Sequence, residues 1–542
     1  MSHADLVFLG GTVLTMDAAR ATATALAVTG TRISAVGNHE VREFIGPATE
    51  VVDLNGGALL PGFHDAHIHA AAAGLELGAC DLTGTVEVGE YLRRVAAYAE
   101  ANPRREWITG SGWSLESFPG GLPTRDLLDA VVPDRPVYLV NRDHHGAWAN
   151  TRALERAGIT ADTPDPADGR IERESGGAPS GMLQEGAMTL LEKVLPPITH
   201  AERIDGILRA QRVLHALGIT AWQEAIVSVD GTSFDCAPAY LDAAERGLLT
   251  ARVSGAQWWD RERGTDQIPD MLLRRKRFAA DRFRLDTVKI MQDGIAENYT
   301  AAMTEPYKDH RGCCTGNAGI SFVDPIALRE YVTELDALDF QVHFHALGDR
   351  AVREVLDALE AARAANGPRG NRHHLAHLQA LHAADIARFQ PLGAVANLQP
   401  QWAAHEPQLD ELTLPFFGGD AAQRQYLFGD LARAGATLAC GSDWPVSSPD
   451  PIEGIHVAVN RVTPGSSLPP LLPDQRLDLM TALAAYTAGS AYVLRSPDTG
   501  VLRAGALADV VVLDRNPFQG GAEEIASTNV TQTFVGGVRV HG

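Results

Sequence analysis

LLPGFHDAHIHA, residues Leu59 to Ala70, sets two imidazoles, His67 and His69, one residue apart after an apolar run and a Pro61-Gly62 step. In an extended strand, side chains at i and i+2 share a face about 6–7 Å apart, so both rings can turn toward one metal ion. The preceding Ala58, Leu59 and Leu60 read as a strand that enters a core and ends at a site. Alone, the pair is a weak sign of a metal site, and the rest of the chain decides between that and two structural histidines.

Seven more strand candidates follow, at 219–226, 251–259, 287–294, 341–347, 373–379, 394–400 and 437–443. Helical stretches such as 349–364 and 384–389 sit between most of them. Eight strands with interposed helices predict an α/β fold, a (β/α)8 TIM barrel, in which catalytic groups collect at the strand C-termini. A doubly wound open sheet is the alternative, weakened because no GxGxxG loop follows a strand. Segment 70–200, with many Gly, Pro and Trp residues, breaks the rhythm. It is too long for a loop and reads as an inserted subdomain overhanging the site mouth.

Short strands punctuated by glycines fill residues 1 to about 57, and the same texture returns at the C-terminus. The expected division is a small β-sandwich domain from 1–60 plus 490–542, a barrel over 61–489, and the 70–200 insertion within it. Two unrelated β-appendages are the alternative for the chain ends.

Polar residues recur at the ends of these strands: Lys289 before Asp293-Gly294, His343 and His345, then His373, His374 and His377, and finally Asp443. Each has a structural reading by itself, such as a helix cap for Asp443 or pairing with Asp293 for Lys289. Together they suit zinc with one position left to water. Position along the strand ranks them. His345 lies nearer the strand end than His343, and His377 nearer than His373. His374 and His64 have the wrong parity. These lower-ranked four are read as structural or supporting residues.

A net charge of −22 argues against a nucleic-acid or anionic-membrane partner. Cys80, Cys236, Cys313, Cys314 and Cys440 are scattered, odd in number and form no CxxC pair, which suits a reducing compartment. With no signal-peptide pattern and no apolar run of about 18 residues, a cytoplasmic location is expected.

PGFHDAHIH, the lysine of VKIMQDG, HFHALGDRA, HLAHLQ and CGSDWPV, in that order, resemble the amidohydrolase superfamily over essentially the whole chain. GWSLESFPGGLPTRDLLDAVVPDRPVYLV, DHHGAWANTRAL and GMLQEGA resemble the inserted segment of its YtcJ-like subgroup, which includes N-substituted formamide deformylases. LRAGALADVVVLD resembles the superfamily's small β-sandwich. The resemblance implies metal ligands at His67, His69, Lys289, His345, His377 and Asp443, for one or two zinc ions or another divalent metal. Lys289 matches a position where some members carry a CO2 adduct, a carbamate that bridges two metals. It also implies catalytic roles for Asp443, as a proton shuttle, and for Lys289 and His345. A homodimer is the family expectation.

His145, within DHHGAW, is a candidate substrate contact, with a structural loop histidine as the alternative. Trp113 and Trp148 are candidates for apolar pocket wall, with core packing as theirs. After the strand-four Asp-Gly the subgroup more often carries a serine-containing sequence, whereas this chain has Ile295-Ala296-Glu297-Asn298. The expected activity is metal-dependent hydrolysis of a carbon–nitrogen bond in a small N-formyl or N-acyl amide. Hydrolysis of an ester, lactone or cyclic amide at the same site is the second reading. A non-catalytic regulatory or binding protein on a hydrolase scaffold is the third.

Overall fold

The computed structural model describes residues 3–228, 232 and 234–542. Eight strands form one sheet in chain order: β1 (Phe63–Ile68), β2 (Ile219–Val227), β3 (Arg252–Trp258), β4 (Phe283–Met291), β5 (Gln341–Ala346), β6 (His374–His377), β7 (Val395–Leu398) and β8 (Thr437–Cys440). Every adjacent pair is parallel.

The sheet curls into a nearly closed TIM barrel. Its last gap is bridged by single bonds rather than by a ladder. The Asp443 N–H donates to the His67 carbonyl at 2.7 Å, and Asn397 Nδ2 donates to the Ala66 carbonyl at 2.9 Å. Ser442 N donates to the Asp65 carboxylate at 3.1 Å. Gly441 permits this approach, because a Cβ there would run into the backbone of His67.

The crossovers are helices whose sequences carry their own signals. Helix His200–Ala216 starts with a capping box, in which Thr199 Oγ1 accepts from Glu202 N and Glu202 Oε2 accepts from Thr199 N. Helix Asp349–Asn366 buries Val352, Val355, Leu356, Leu359 and Ala362 on one stripe, the spacing of a helix lying on a sheet. The helix expected at 384–389 is instead two short helices, Ala383–Ile386 and Phe389–Leu392. Among the described residues, no helix is long and apolar enough to cross a membrane.

Both chain ends contribute to one six-stranded sheet, in which Ala58–Pro61 lies antiparallel to Val510–Leu513. A second, four-stranded sheet is built from Leu6–Leu9, Ala25–Thr29, Arg32–Gly37 and Glu50–Asp53. Phe8, Val13, Leu26, Leu59, Val510 and Phe534 share a core between the two. Ala58–Pro61 then passes into β1 through Gly62, where a Cβ would collide with the Thr220 side chain. Residues between β1 and the helix at His200 form a third sheet, of six strands, including Ile108–Trp113, Val137–Asn141, Gly146–Ala149 and Pro179–Glu185.

Arg252, opening β3, ties the barrel to the terminal sheet. Its Nε lies 2.7 Å from Oδ2 of Asp509, whose side chain is fully buried. Asp509 Oδ1 also accepts the Gly536 N–H at 2.6 Å. Removing the guanidinium strands a buried carboxylate, a loss of about 3–5 kcal/mol for a pair of this kind. Arg252→Met is therefore expected to lower the thermal unfolding midpoint by several degrees, and Arg252→Met/Asp509→Asn to recover part of that loss. An unchanged midpoint in the single variant would remove this pair as an anchor.

Candidate metal centre

Strand β1 delivers His67 and His69 to the C-terminal mouth of the barrel, and the turn after β8 delivers Asp443 opposite them. His67 Nε2 lies 3.0 Å and His69 Nε2 3.1 Å from Asp443 Oδ1. Their ligand atoms all fall within 4.8 Å of one another. His377, ending β6, places Nδ1 3.9 Å from Asp443 Oδ2. The His377 ring packs edge-on against His67 and His345, with centroids 4.7 and 4.5 Å away. On its other side it stacks on Trp402, nearly parallel, at 5.1 Å. The structure thus brings His67, His69, His345, His377, Lys289 and Asp443 to one cavity wall.

Two of these residues sit on backbone that a side chain adopts only at a cost. His377 has φ 81° and Asp443 has φ 59°, in the left-handed region. Such strain persists where surrounding bonds over-determine it. Around Asp443 those bonds are its own N–H to His67 and the Asp65 carboxylate, which accepts from the N–H groups of both His67 and Ser442.

A layer below, His343 on β5 holds its Nε2 2.8 Å from His67 Nδ1. That contact leaves His67 Nε2 aimed at Asp443. Lys289 Nζ lies 3.4 Å from the same His343 nitrogen. His345 Nδ1 faces the Asp293 carboxylate at 3.4 Å, which itself accepts the N–H groups of Ala302, Leu347 and Gly348. His64, His373 and His374 serve the scaffold. His64 bonds to the Gly62 carbonyl and Thr499, His373 to Asp336, and His374 to Asn397.

Burial sets the charge states. It pushes His67 down to about 3, helped by the nearby Lys289 ammonium. It likewise holds His69, His345 and His377 below the usual imidazole range, so these rings are neutral, the form that binds metals. For Asp443, burial acts upward, but His67 and His69 outweigh it and keep the carboxyl well below its usual range. Burial brings Lys289 down to about 7, against the pull of Asp443. An amine near that value is partly uncharged at neutral pH, as carbamate formation requires.

The donor set passes a direct test for a divalent ion. Asp443 Oδ1 and His377 Nδ1 are buried within the cluster with no hydrogen-bond partner. Stranded polar atoms at this density are costly unless something else engages them. Two imidazole nitrogens and a carboxylate oxygen, with further imidazoles beside them, match zinc chemistry.

The centre forms the floor of a cavity of about 1090 Å³. The segment between β1 and β2 supplies much of its rim, including His145, whose Nδ1 lies 2.8 Å from Glu185 Oε2. Glu185 Oε1 accepts from Thr300 Oγ1 at 2.8 Å and Asn298 Nδ2 at 3.3 Å. Although burial opposes a charged imidazole, Glu185 raises His145 to about 9. The His145 ring lies 5.7 Å from that of His345. Glu185, at φ 52°, is a site residue that spacing does not reveal, since its partner lies forty residues earlier in the chain. Its visible trace was the GMLQEGA stretch.

Trp113 and Trp148 require correction as pocket-wall residues. Both are fully buried and pack edge-on against Phe118, and their indole N–H groups donate to the carbonyls of Leu139 and Thr124. Gly112 and Ser114, flanking Trp113, face the cavity in its place. In an alternating strand the wall and the core take opposite parities. Cys313 and Cys314 are exposed free thiols.

A family profile described as "Amidohydrolase family" matches residues 50–541. Protein LONG AFTER FAR-RED 3 of Arabidopsis thaliana is 30% identical over 548 residues, spanning 99% of this chain and 92% of that protein. N-substituted formamide deformylase of Arthrobacter pascens is 28% identical over 551 residues, spanning 98% of each. Among solved structures, an uncharacterized metal-dependent hydrolase from Pyrococcus horikoshii OT3 superposes with a TM-score of 0.75 at 26% identity, over 95% of this chain and 99% of that one. A chain matched this completely, with its histidines and aspartate gathered at the barrel mouth, belongs to the amidohydrolase family.

Proposed function

We propose that the chain is a zinc-dependent amidohydrolase that cleaves the carbon–nitrogen bond of a small N-formyl or N-acyl amide. The observation that carries this reading is the convergence of His67 Nε2 and His69 Nε2 on Asp443 Oδ1 at the floor of a deep cavity. The full-length likeness to N-substituted formamide deformylase directs the choice of substrate.

In this reading His67, His69, His345, His377 and Asp443 hold the metal, with Lys289 as a further ligand once carbamylated. A divalent ion in such a site lowers the pKa of a coordinated water toward about 7 and polarises a carbonyl. Asp443 supplies the proton transfers. A carboxylate oxygen of Asp443 would take a proton from the attacking water and return it to the departing nitrogen. His145, kept cationic by Glu185, presents its remaining N–H to the substrate carbonyl, where negative charge develops. His343 acts through His67 by fixing the tautomer that points Nε2 at the metal.

The deciding measurement is mass-spectrometric product detection with zinc-loaded protein. The panel comprises N-substituted formamides, longer N-acyl amines, N-acyl amino acids, cyclic amides and simple esters. Formate and amine released from formamides are the expected products. Cleavage of esters with every amide untouched would overturn the carbon–nitrogen assignment, and metal-replete protein that cleaves nothing would favour a binding or regulatory role. Asp443→Asn is expected to lower turnover by about 10²–10⁴-fold, the usual worth of a positioned acid–base group. Unchanged turnover in a variant that retains metal would remove the shuttle role. His343→Ala should weaken zinc binding about 10–100-fold, as lost supporting contacts do. Competition with a chromophoric chelator reads that loss without reference to activity.

A further inference from the structure

The chain leaves β6 on a strained path. His377 has φ 81° and the fully buried Leu378 has φ 48°, two consecutive residues in the left-handed region. The turn brings Gln379 to the same cavity that His377 lines. A second loop holds it there. The Gln379 carbonyl accepts the Tyr426 N–H at 2.8 Å, and Ala380 pairs with Gln425. Tyr426 is itself left-handed, at φ 51°, and its carbonyl accepts from Nη1 of the fully buried Arg461 at 3.1 Å.

What this bracing leaves unengaged is the Gln379 side chain. The residue lines the cavity and is 3% exposed, yet its carboxamide makes no hydrogen bond among the described residues. The neighbouring glutamines are all occupied. Gln399 Oε1 accepts the His377 N–H at 2.6 Å, and its Nε2 donates to Asn397. Gln401 Nε2 donates to Glu453, and Gln408 joins Arg142 to Asp143. Tyr426, buried on the same wall, likewise has a hydroxyl with no hydrogen bond among the described residues, and burial keeps it in the O–H form. Buried polar groups are ordinarily paired, so two adjoining ones that open onto a cavity are suited to what enters it. Both are uncharged, which favours a neutral polar group over an ion.

We propose that Gln379 is a specificity-determining residue whose Oε1 accepts the N–H of the scissile amide. This rests on the amide hydrolysis proposed above. There the substrate carbonyl faces the metal centre and His145, so the N–H is the polar group of the amide still to be satisfied. A neutral acceptor fits that task. It orients the nitrogen but does not retain the proton that Asp443 delivers, as a second carboxylate would. A site built around such a bond disfavours an analogue without the N–H, because the acceptor then stays unpaired.

Isothermal titration of the full-length, zinc-loaded protein with unreactive mimics tests the contact without turnover. The probes are N-alkyl methanesulfonamides, which keep the N–H and resist hydrolysis, each against its N-methyl counterpart, which lacks it. For at least one alkyl group the N–H compound is expected to bind about tenfold or more tightly. Gln379→Leu keeps the bulk of the side chain and removes the acceptor. It should erase the preference by weakening the N–H compound, while binding of the N-methyl compound and the melting temperature stay as they were. Gln401→Ala, on the same wall, should retain the preference. Equal binding of the two compounds by the unaltered protein, or a preference that survives Gln379→Leu, would overturn the proposal. Hydrolysis of N-alkylformamides against their N-methyl counterparts separates the two readings. A preference that depends on Gln379, with no amide cleaved, upholds the N–H contact and rejects amide hydrolysis. Cleavage of both kinds of formamide at similar kcat/KM rejects the contact and upholds the amidohydrolase reading.

Discussion

The hydrogen bond from the Asp443 N–H to the His67 carbonyl, with the Asp65 carboxylate beside it, closes the barrel and composes the site in one place. No ladder joins the first and last strands, so these few bonds hold the seam. Burial pushes Asp65 up to about 7, while the N–H groups it receives from Ser442 and His67 favour its ionised form. The same bonds hold Asp443 in its left-handed backbone and put its side chain over the His67 and His69 rings. Architecture and chemistry therefore share an energetic origin here. A change that loosens the seam displaces a carboxylate from two imidazoles.

Much of this was legible in the chain because it depends on short periods. Alternation along β1 separated His67 and His69 from His64, depth along β5 ranked His345 above His343, and the strand-and-helix rhythm announced the barrel. What escaped was long-range pairing between loops. The His145–Glu185 pair joins positions forty residues apart through two strands of the inserted sheet, and neither residue carries a local pattern that names the other. Trp113 misled because its glycine and serine neighbours belong to the cavity while its own side chain turns the other way into a packed aromatic cluster. The role of His343 was legible as to layer but not as to its partner, since the 2.8 Å contact with His67 exists only once β1 and β5 face each other across the barrel.

The segment between β1 and β2 divides the labour with the barrel. The barrel brings the histidines and Asp443 at or just beyond its strand ends, where the sheet fixes their position. The segment brings His145, Glu185, Arg142 and Asp143 on its own sheet and loops to the rim. Fixed floors with variable rims are how one barrel supports many substrates.

The strand Ala58–Pro61 runs through Gly62 straight into the strand bearing His67 and His69, yet its antiparallel partner, Val510–Leu513, lies beyond every strand of the barrel in the sequence. On the ribosome, all the strands of the barrel emerge before that partner does. Until that partner emerges, Ala58–Pro61 offers one unpaired, apolar edge of the kind that recruits foreign strands. The nascent chain thus carries an exposure to misassembly at the root of its own metal centre, and it is relieved of it only when Val510–Leu513 arrives.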